Sequence, residues 1–489
     1  MRLSYVSNAL SLILTDIGFV TFIPTLLALY YKDYNSILPF VIAGILALLS
    51  GIIFKYFVNK KSSFDSLNDI KRSEALMIVS LSWITVSIIA AIPYLFFGFS
   101  PINALFEGVS GITATGATIL ERFDYPKALL FWRSFTQWLG GMGIIVLFVA
   151  ILPQFAVAGR QMFFAEAPGP TEDKLSPRIR NTASALWIVY LGLTILAGIL
   201  LHLAGMPKFD AICNAMSTLS AGGFSPNAQS IMGYGSNLIN WIIIAFMFFA
   251  GASFILQLRV LTKKNPLLLF KSEEFRYYTY TILILSSIIA LILYCQNNYT
   301  VFDAITSGLY QVISISTSTG SCSVDYQQWG LSAKILLFIA MFTGSCAGSA
   351  GGGIKMTRWL LVFKSMKAEL FKILHPNAVV NIKIDNSIIQ PDIIRQVVVF
   401  IFFYFLLFGI SAILMTIIEQ NAVIGLTGAI TSLGDIGPGL GHVVGPMGNY
   451  DGLHYGTKLI YIVNMIVGRL ELIPFLVFLQ PDFWTFKKN

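Results

Sequence analysis

Long apolar runs recur along the whole chain and alternate with short polar segments. The runs lie near residues 5–31, 37–58, 73–98, 128–154, 182–205, 235–260, 277–296, 329–365, 392–418 and 456–479. About 20 apolar residues are needed to cross the hydrocarbon core of a bilayer, so each run predicts a spanning helix. The last eight runs form four pairs, and each pair encloses a shorter apolar stretch that is too interrupted to span. The pattern predicts an all-α polytopic membrane protein.

Each enclosed stretch leads into a loop that is rich in glycine and hydroxyl side chains. The four loops contain Gly116, Gly222, Gly320 and Gly437, which recur at nearly equal intervals. An Asx-Ala pair heads each short stretch, at Asn103, Asp210, Asp303 and Asn421. Because Asx residues are favoured N-caps, we predict four short re-entrant helices. Two extra transmembrane helices precede these four tandem repeats.

Composition supports a membrane protein and sets its orientation. The 489 residues are 56% hydrophobic and 11% charged, whereas soluble proteins carry about 25% charged residues. The net charge of +8 does not indicate nucleic acid, because lysine and arginine concentrate in the segments between repeats, as cytoplasmic loops require. We therefore expect both termini in the cytoplasm and one orientation for all four repeats.

The repeats divide the chain into five segments. A transmembrane hairpin with a cytoplasmic loop is predicted over residues 1–72, and the repeats over residues 73–160, 161–265, 266–375 and 376–489. The third repeat is predicted to carry an additional loop within the membrane.

The four loops have the chemistry of a cation path. Non-helical backbone at membrane depth must be buried in protein or line a watery cavity, and carbonyl oxygens can replace the hydration shell of a monovalent cation. The partly negative C-terminal end of each short helix also favours a cation. Among the loop residues Asp435 alone is ionisable, and its carboxylate either adds cation affinity or bonds to neighbouring backbone. Divalent ions prefer carboxylate-rich sites, so the pattern favours a monovalent ion.

These features resemble the Trk/Ktr/HKT superfamily of potassium transporters, and within it the bacterial TrkH/TrkG branch. The similar features are the four loops, the motifs at residues 137–143, 348–355 and 437–441, and Arg469. The resemblance implies four helix, pore-helix, loop and helix repeats around a pseudo-fourfold pore, with K⁺ as the transported ion and no organic cofactor. The implied selectivity filter consists of Ala114, Thr115, Gly116, Ser220, Ala221, Gly222, Ser318, Thr319, Gly320, Asp435, Ile436 and Gly437. Ala221 and Asp435 depart from the residues that are common in the family.

A glycine-rich stretch interrupts the apolar run near residues 329–365. It consists of Gly344, Ser345, Cys346, Ala347, Gly348, Ser349, Ala350, Gly351, Gly352 and Gly353. Each glycine costs a helix about 1 kcal/mol relative to alanine, so this density predicts an unwound segment. The resemblance implies a gate that blocks the pore beneath the filter, and the alternative is close helix packing through small residues.

Arg469 is predicted to lie in the middle of the last spanning helix, with apolar residues on both sides, and an intramembrane cation indicates function by default. One interpretation is an electrostatic barrier that faces the pore just below the filter. The other is a structural ion pair with Glu107 or Glu471.

The remaining expectations concern partners and other functions. The chain has no Walker loop or dinucleotide fingerprint, and the resemblance implies a homodimer in the lipid of the bacterial inner membrane with cytosolic TrkA-like nucleotide-binding regulatory subunits. No cluster of histidine and acidic residues favours an enzyme. A secondary carrier of Na⁺ or of a small solute remains the alternative, although its repeats would more often be inverted.

Overall fold

The computed structural model describes residues 3–56, 72–146, 179–296, 299–385 and 387–470, together with residues 472, 475, 480 and 481. Helices form almost all of its regular structure, which confirms the predicted class. In these ranges the strands are limited to one antiparallel hairpin, β1 (Lys383–Ile384) and β2 (Ser387–Ile388). Six described helical segments are long and apolar enough to cross a membrane, and one bent pair would add a seventh.

The N-terminal helices form a hairpin that packs through small residues. Helix α1 is Leu3–Val20, α2 is Phe22–Tyr30 and α3 is Ile37–Tyr56. A Cβ on Gly44 of α3 would lie 3.2 Å from the Gly18 carbonyl oxygen of α1. Such small residues let helix backbones approach closely in a membrane.

The helices of the four predicted repeats follow in order. The first contains α4 (Arg72–Leu95), α5 (Pro101–Ile112) and α6 (Lys127–Val146). The second contains α7 (Ile179–Leu203), α8 (Lys208–Leu219), α9 (Asn237–Ala250) and α10 (Phe254–Lys263). The third contains α11 (Leu268–Lys271), α12 (Glu273–Gln296), α13 (Val301–Ser316), α14 (Leu331–Ala340) and α15 (Met356–Leu374). The fourth contains α16 (Pro391–Glu419), α17 (Ala422–Leu433) and α18 (Tyr455–Arg469).

The run at residues 235–260 is not the single helix that the sequence predicts. Helices α9 and α10 meet at a bend of 97°. The glycine-rich stretch of the third repeat occupies this bend, where the Gly251 carbonyl accepts from Cys346 N–H at 2.9 Å and Phe254 N–H donates to the Gly348 carbonyl at 3.0 Å. At the bend, backbone groups of α9 and α10 form hydrogen bonds with the third repeat in place of intrahelical ones. The local sequence does not predict these long-range bonds.

The predicted N-caps are wrong for three of the four short helices. Asn421 does cap α17, accepting from Val423 N–H at 2.9 Å. The N-caps of α5 and α13 instead lie three residues before the Asx position, because Ser100 and Thr300 accept from the N–H groups of Asn103 and Asp303. The equivalent residue of α8 is Pro207, which makes no side-chain cap.

Helix α18 ends at Arg469, so this residue is not in the middle of a helix as predicted. Leu472 N–H bonds to the Val467 carbonyl at 3.2 Å, and Leu472 has a φ of 50°. Pro474 follows and has no N–H with which to continue the helix. Most of the predicted remainder of this run, and residues 147–154 of the run after the first loop, lie outside the described residues.

Candidate functional site

The four short helices end in the same backbone motif. In the first, Thr115 N–H bonds to the Ser110 carbonyl at 3.0 Å and Ala114 N–H bonds to the Gly111 carbonyl at 3.1 Å, which is a Schellman turn. The residue in the left-handed position has a φ of 53–59° in all four loops, and these residues are Ala114, Ala221, Ser318 and Asp435. None is glycine, so each conformation costs roughly 1–2 kcal/mol. We call these four residues the inner ring.

Two residues further along, each loop has a glycine with positive φ. These glycines are Gly116 (85°), Gly223 (74°), Gly320 (70°) and Gly437 (90°). In the second loop the matching residue is Gly223 and not Gly222, so the sequence-based alignment is wrong there by one residue. Ser220 is the helix cap in that loop and corresponds to Thr113. We call these four the filter glycines, after the filter that the sequence predicts.

The filter glycines bring the loops together in a closed cycle. A Cβ on Gly116 would lie 2.1 Å from the Gly222 oxygen, one on Gly223 2.0 Å from Thr319, one on Gly320 1.9 Å from Ile436, and one on Gly437 2.5 Å from Thr115. The first loop thus contacts the second, the second the third, the third the fourth, and the fourth the first. Each contacting oxygen belongs to the residue just before a filter glycine. Four carbonyl oxygens at corresponding positions of the loops therefore lie in one ring.

The same ring borders a cavity on the other side of the loops from the short helices. The cavity has a volume of about 200 Å³, and Gly116, Gly223, Gly320 and Pro438 are among its lining residues. All four loops therefore meet one shared space, as expected for irregular backbone at membrane depth.

Loops one and three share hydrogen bonds that the others lack. Thr113 and Thr115 hydroxyls lie 2.7 Å apart, and Thr317 and Thr319 hydroxyls 2.8 Å apart. Helix hydroxyls also bond forward to the carbonyls of Ala117 and Ser321, each at 2.6 Å. The fourth loop carries Asp435 at its inner-ring position instead. Its Oδ1 accepts from the Thr115 hydroxyl at 3.0 Å.

A buried ion pair between α5 and α6 stabilises the first loop. Arg133 Nε lies 2.8 Å from Glu107 Oε1, and both side chains are almost fully buried. Glu107 also accepts from Ile119 N–H at 3.0 Å, and Arg133 donates to the Ser225 carbonyl at 3.3 Å. The pair thus ties the first loop to the second. A charged residue in the apolar run of α6 is the sequence signal that could have found it.

Gln137 of α6 clamps the second loop. Its Nε2 donates to the Gly222 carbonyl at 2.6 Å, and its Oε1 accepts from Phe224 N–H at 3.0 Å. The side chain is fully buried, so both backbone groups depend on it. It lies one helical turn after Arg133, on the same face of α6.

We predict that Gln137→Leu lowers the thermal stability of the folded protein. The change leaves a buried carbonyl and a buried N–H without partners, at a cost of about 1–3 kcal/mol for each group. A scanning-fluorimetry midpoint for the purified protein would measure the loss, with the surface substitution Gln328→Leu as a control. A midpoint equal to that of the control would show that Gln137 does not hold the loop.

The predicted gate residues form an irregular segment between α14 and α15, which confirms the expected break. We call residues 344–353 the crossing loop. A Cβ on Gly351 would lie 2.4 Å from the Thr317 oxygen and one on Gly352 2.7 Å from the Gly434 oxygen, while Gly352 N–H donates to Ser318 Oγ at 2.6 Å. The loop therefore presses against the C-terminal ends of α13 and α17, next to the inner ring.

Two charged residues of the third repeat form hydrogen bonds with the backbone of the crossing loop. Glu274 Oε1 accepts from Ala347 N–H at 2.6 Å and from the Thr357 hydroxyl. Lys355 Nζ donates to the Gly351 carbonyl at 2.6 Å. The carboxylate thus fixes the start of the loop to α15, and the ammonium fixes its end.

Arg469 reaches the same loop from the fourth repeat. Its guanidinium donates to the Ala350 carbonyl at 3.0 Å and to the Gly140 carbonyl at 3.2 Å. Glu107 is paired with Arg133, so the structure does not support Glu107 as the partner of Arg469. Glu471, the other candidate, lies outside the described residues. Arg469 and Lys355 together place two positive charges against adjacent carbonyls of the crossing loop.

A family model described as the cation transport protein TrkH matches residues 44–485. The chain belongs to the TrkH family of cation transport proteins. The Trk system potassium uptake protein TrkH of Vibrio parahaemolyticus is 35% identical over 99% of this chain and 100% of its own length. The protein of that name from Escherichia coli K12 is 37% identical over 94% of this chain and 95% of its own.

The solved structures include a TrkH with the same fold. The crystal structure of the potassium transporter TrkH from Vibrio parahaemolyticus matches this chain with a TM-score of 0.89 at 32% sequence identity, covering 99% of this chain and 100% of that one. This TrkH-family chain is therefore a multi-pass membrane protein of the transporter class.

Proposed function

We propose that this protein takes up potassium through the ring of carbonyl oxygens at the filter glycines. The closed cycle of contacts among the four loops carries the proposal, because it brings four carbonyl oxygens, one from the same position of each loop, to the C-terminal, partly negative ends of four helices. The proposed filter comprises residues 114–116, 221–223, 318–320 and 435–437. Potassium is the transported ion, and no organic cofactor takes part. The names of the relatives support the choice of ion.

The crossing loop is the proposed gate and Arg469 the proposed barrier. The crossing loop contacts the C-terminal ends of α13 and α17, which are two of the four short helices that lead into the proposed filter. A dehydrated cation that leaves the filter on this side therefore meets the backbone of the crossing loop rather than water. The Arg469 and Lys355 charges behind it oppose a cation further. A movement of the loop would remove both the backbone obstacle and the two positive charges, because Arg469 and Lys355 are bonded to carbonyls of the loop.

The proposed setting is the bacterial inner membrane, with both termini in the cytoplasm and lipid around a homodimer. A cytosolic TrkA-like ring of nucleotide-binding subunits would dock on the basic loops that follow each repeat. The name Trk system, shared by the relatives, supports such a regulatory partner. The five-segment division of the chain is part of the same proposal.

Growth tests the proposal in cells. We expect expression of the full chain to rescue a bacterium that lacks its own potassium uptake systems on low-potassium medium, because the filter passes dehydrated K⁺. Rescue by excess sodium instead of potassium, or no rescue by a chain present in the membrane, would contradict potassium uptake and favour the carrier of Na⁺ or of a small solute.

We predict that deletion of residues 345–352 raises basal ion flux. A Cβ on Gly353 would lie 3.9 Å from the Gly344 Cα, so the two residues that flank the deletion already lie near each other and can be rejoined by a small movement. The test is Rb⁺ efflux from proteoliposomes without any regulatory subunit. A deletion protein that elutes as a single folded species but shows wild-type or lower flux would contradict the gate.

A further inference from the structure

A second cavity lies between the second and third repeats. It has a volume of about 530 Å³, and it is bordered by the starts of α9 and α13 and by backbone that follows the second and third loops. We call it the side cavity. It shares no lining residue with the cavity at the filter glycines, so it is not the proposed ion path. Its volume is in the range of about 300–1,000 Å³ that is typical of small-molecule sites.

Several polar side chains of the side cavity have no hydrogen-bond partner. Thr306 and Ser307 of α13 line it, and both residues are more than nine-tenths buried. The Thr306 hydroxyl has no partner among the described residues. In the same part of the chain the Ser307 hydroxyl and the side-chain amide of Asn240 form no hydrogen bond either. Because a buried polar group costs free energy unless it is hydrogen-bonded, these groups indicate a polar ligand.

The charges around the side cavity favour a ligand that carries both signs. Asp303 is the one charged residue among its described lining residues, and none of these is lysine or arginine. The Asp303 Oδ2 accepts from the Thr300 hydroxyl at 2.7 Å, so the carboxylate lies at the start of α13. Asn237, the first residue of α9, lines the same space. The side cavity therefore offers a carboxylate to a cationic group and the positive ends of two helix dipoles to an anionic one.

Exposed apolar side chains flank the side cavity on both helices. They are Leu238 and Trp241 of α9 and Phe302 and Ile305 of α13. The rings of Trp241 and Phe302 contact each other, with centroids 6.4 Å apart, and tryptophan is enriched at membrane–water interfaces. Both helices begin on the side that the sequence predicts to lie outside. A ligand with a zwitterionic head and apolar chains is complementary to the polar cavity and to this apolar surface together.

We propose that the side cavity binds the headgroup of a zwitterionic phospholipid with a primary ammonium, which is phosphatidylethanolamine. The ammonium donates to the Asp303 carboxylate and to the free hydroxyl oxygens of α13, and the phosphate lies at the start of α9. The acyl chains follow the exposed apolar faces of the two helices. The bound lipid joins the second and third repeats beside the third loop, whose Ser323 borders the cavity. The proposal needs the membrane setting but does not depend on potassium uptake.

The choice of headgroup can be tested with the purified full-length protein in detergent. Dioleoyl phosphatidylethanolamine, phosphatidylcholine and phosphatidylglycerol are added in turn, and binding is followed by native mass spectrometry and by the thermal midpoint. We expect phosphatidylethanolamine to bind most tightly. Its ammonium has three N–H donors, whereas the trimethylammonium of phosphatidylcholine has none, and the net negative charge of phosphatidylglycerol is opposed by Asp303.

Asp303→Asn is the variant that tests the proposed ammonium site. We expect it to weaken phosphatidylethanolamine binding about tenfold, because a charge-assisted hydrogen bond becomes a neutral one, and to remove the preference over phosphatidylcholine. Asp303→Glu should restore that preference. Asp392→Asn is the matched control, since it removes a carboxylate from the first turn of α16, and it should bind like the wild type.

A second variant keeps the test decisive if Asp303→Asn does not fold. Asn240→Leu replaces a cavity amide by an apolar side chain of similar size, and it should also weaken phosphatidylethanolamine binding. Glycerophosphoethanolamine, which has the same headgroup without acyl chains, should stabilise the protein far less than the lipid does.

Three results would overturn the lipid site. They are equal binding of the three lipids or tighter binding of phosphatidylglycerol, a preference for phosphatidylethanolamine that persists in a folded Asp303→Asn protein, and equal stabilisation by glycerophosphoethanolamine, which would indicate a soluble ligand. Loss of the preference in the Asp303→Asn and Asn240→Leu proteins alone supports the site, whether or not the wild type carries potassium. Potassium uptake is judged separately, by ion flux.

Discussion

Replacing Gly320 by alanine is expected to abolish potassium-selective flux. A Cβ at this position would lie 1.9 Å from the Ile436 oxygen and 2.7 Å from Pro438 Cδ, far inside contact distance. The φ of 70° adds a further cost of roughly 1–2 kcal/mol for any residue with a side chain. The third and fourth loops must therefore separate, and the ring loses the fit of its oxygens to one ion.

The expected loss of selectivity can be estimated from the strain that the added methyl group causes in the filter. Each 1.4 kcal/mol lost from the preference for K⁺ over Na⁺ lowers the selectivity about tenfold, and two strained contacts exceed this amount. Flux of ⁸⁶Rb⁺ and ²²Na⁺ into proteoliposomes measures the ratio directly. Gly116→Ala should behave alike, because its Cβ would lie 2.1 Å from the Gly222 oxygen.

Gly409→Ala is the matched control. This glycine lies in α16, and a Cβ there would have no atom within 4 Å. Alanine is favoured over glycine in helices by about 1 kcal/mol, so the control should be as stable as the wild type or more so. Normal selectivity in a folded Gly320→Ala protein would show that the cycle of loop contacts does not form the filter.

Replacing Arg469 by alanine is expected to raise basal flux. The guanidinium is buried and donates to carbonyls of both the crossing loop and α6, so its removal takes away a fixed positive charge and a loop anchor together. A unit charge about 4 Å away contributes about 4 kcal/mol at an effective dielectric constant of 20. Because a barrier lower by 1.36 kcal/mol raises a rate tenfold, an increase of about tenfold or more is expected.

The charge and the anchor can be separated by Arg469→Lys. Lysine keeps the positive charge but cannot bond to Ala350 and Gly140 together with the planar fork of arginine. Low flux in the lysine variant with high flux in the alanine variant would assign the effect to charge. Unchanged Rb⁺ efflux from a folded Arg469→Ala protein would defeat the barrier.

Much of the architecture can be predicted from the sequence. Membrane spans require long apolar runs, and the glycine-rich break follows from the helix propensity of its own residues. Five glycines between residues 344 and 353 predict unwinding by helix propensity alone. The bend between α9 and α10 is different. Gly251 is a single glycine, and its break is stabilised by bonds to Cys346 and Gly348 about a hundred residues away, which no local pattern encodes.

The errors within the site have similar physical causes. Gly222 and Gly223 are adjacent glycines, so residue type cannot assign the register, although counting from the helix caps Thr113 and Ser220 would have done so. The capping error was also avoidable, since Ser100 and Thr300 stand three residues before Asn103 and Asp303 in the spacing of a capping box. The cycle of carbonyl contacts, by contrast, depends on tertiary structure and cannot be derived from any one repeat.

Ion flux through the purified full-length protein in proteoliposomes tests potassium uptake most directly. Uptake of ⁸⁶Rb⁺ is measured against internal K⁺, with competition by external K⁺, Na⁺ and choline and with no pH gradient. We expect external K⁺ to compete with ⁸⁶Rb⁺ and Na⁺ to compete far less, and we expect Gly320→Ala to remove this difference. Equal competition by Na⁺ and K⁺ in the wild type, or preference for K⁺ that survives Gly320→Ala, would contradict a potassium filter built from the four glycine loops.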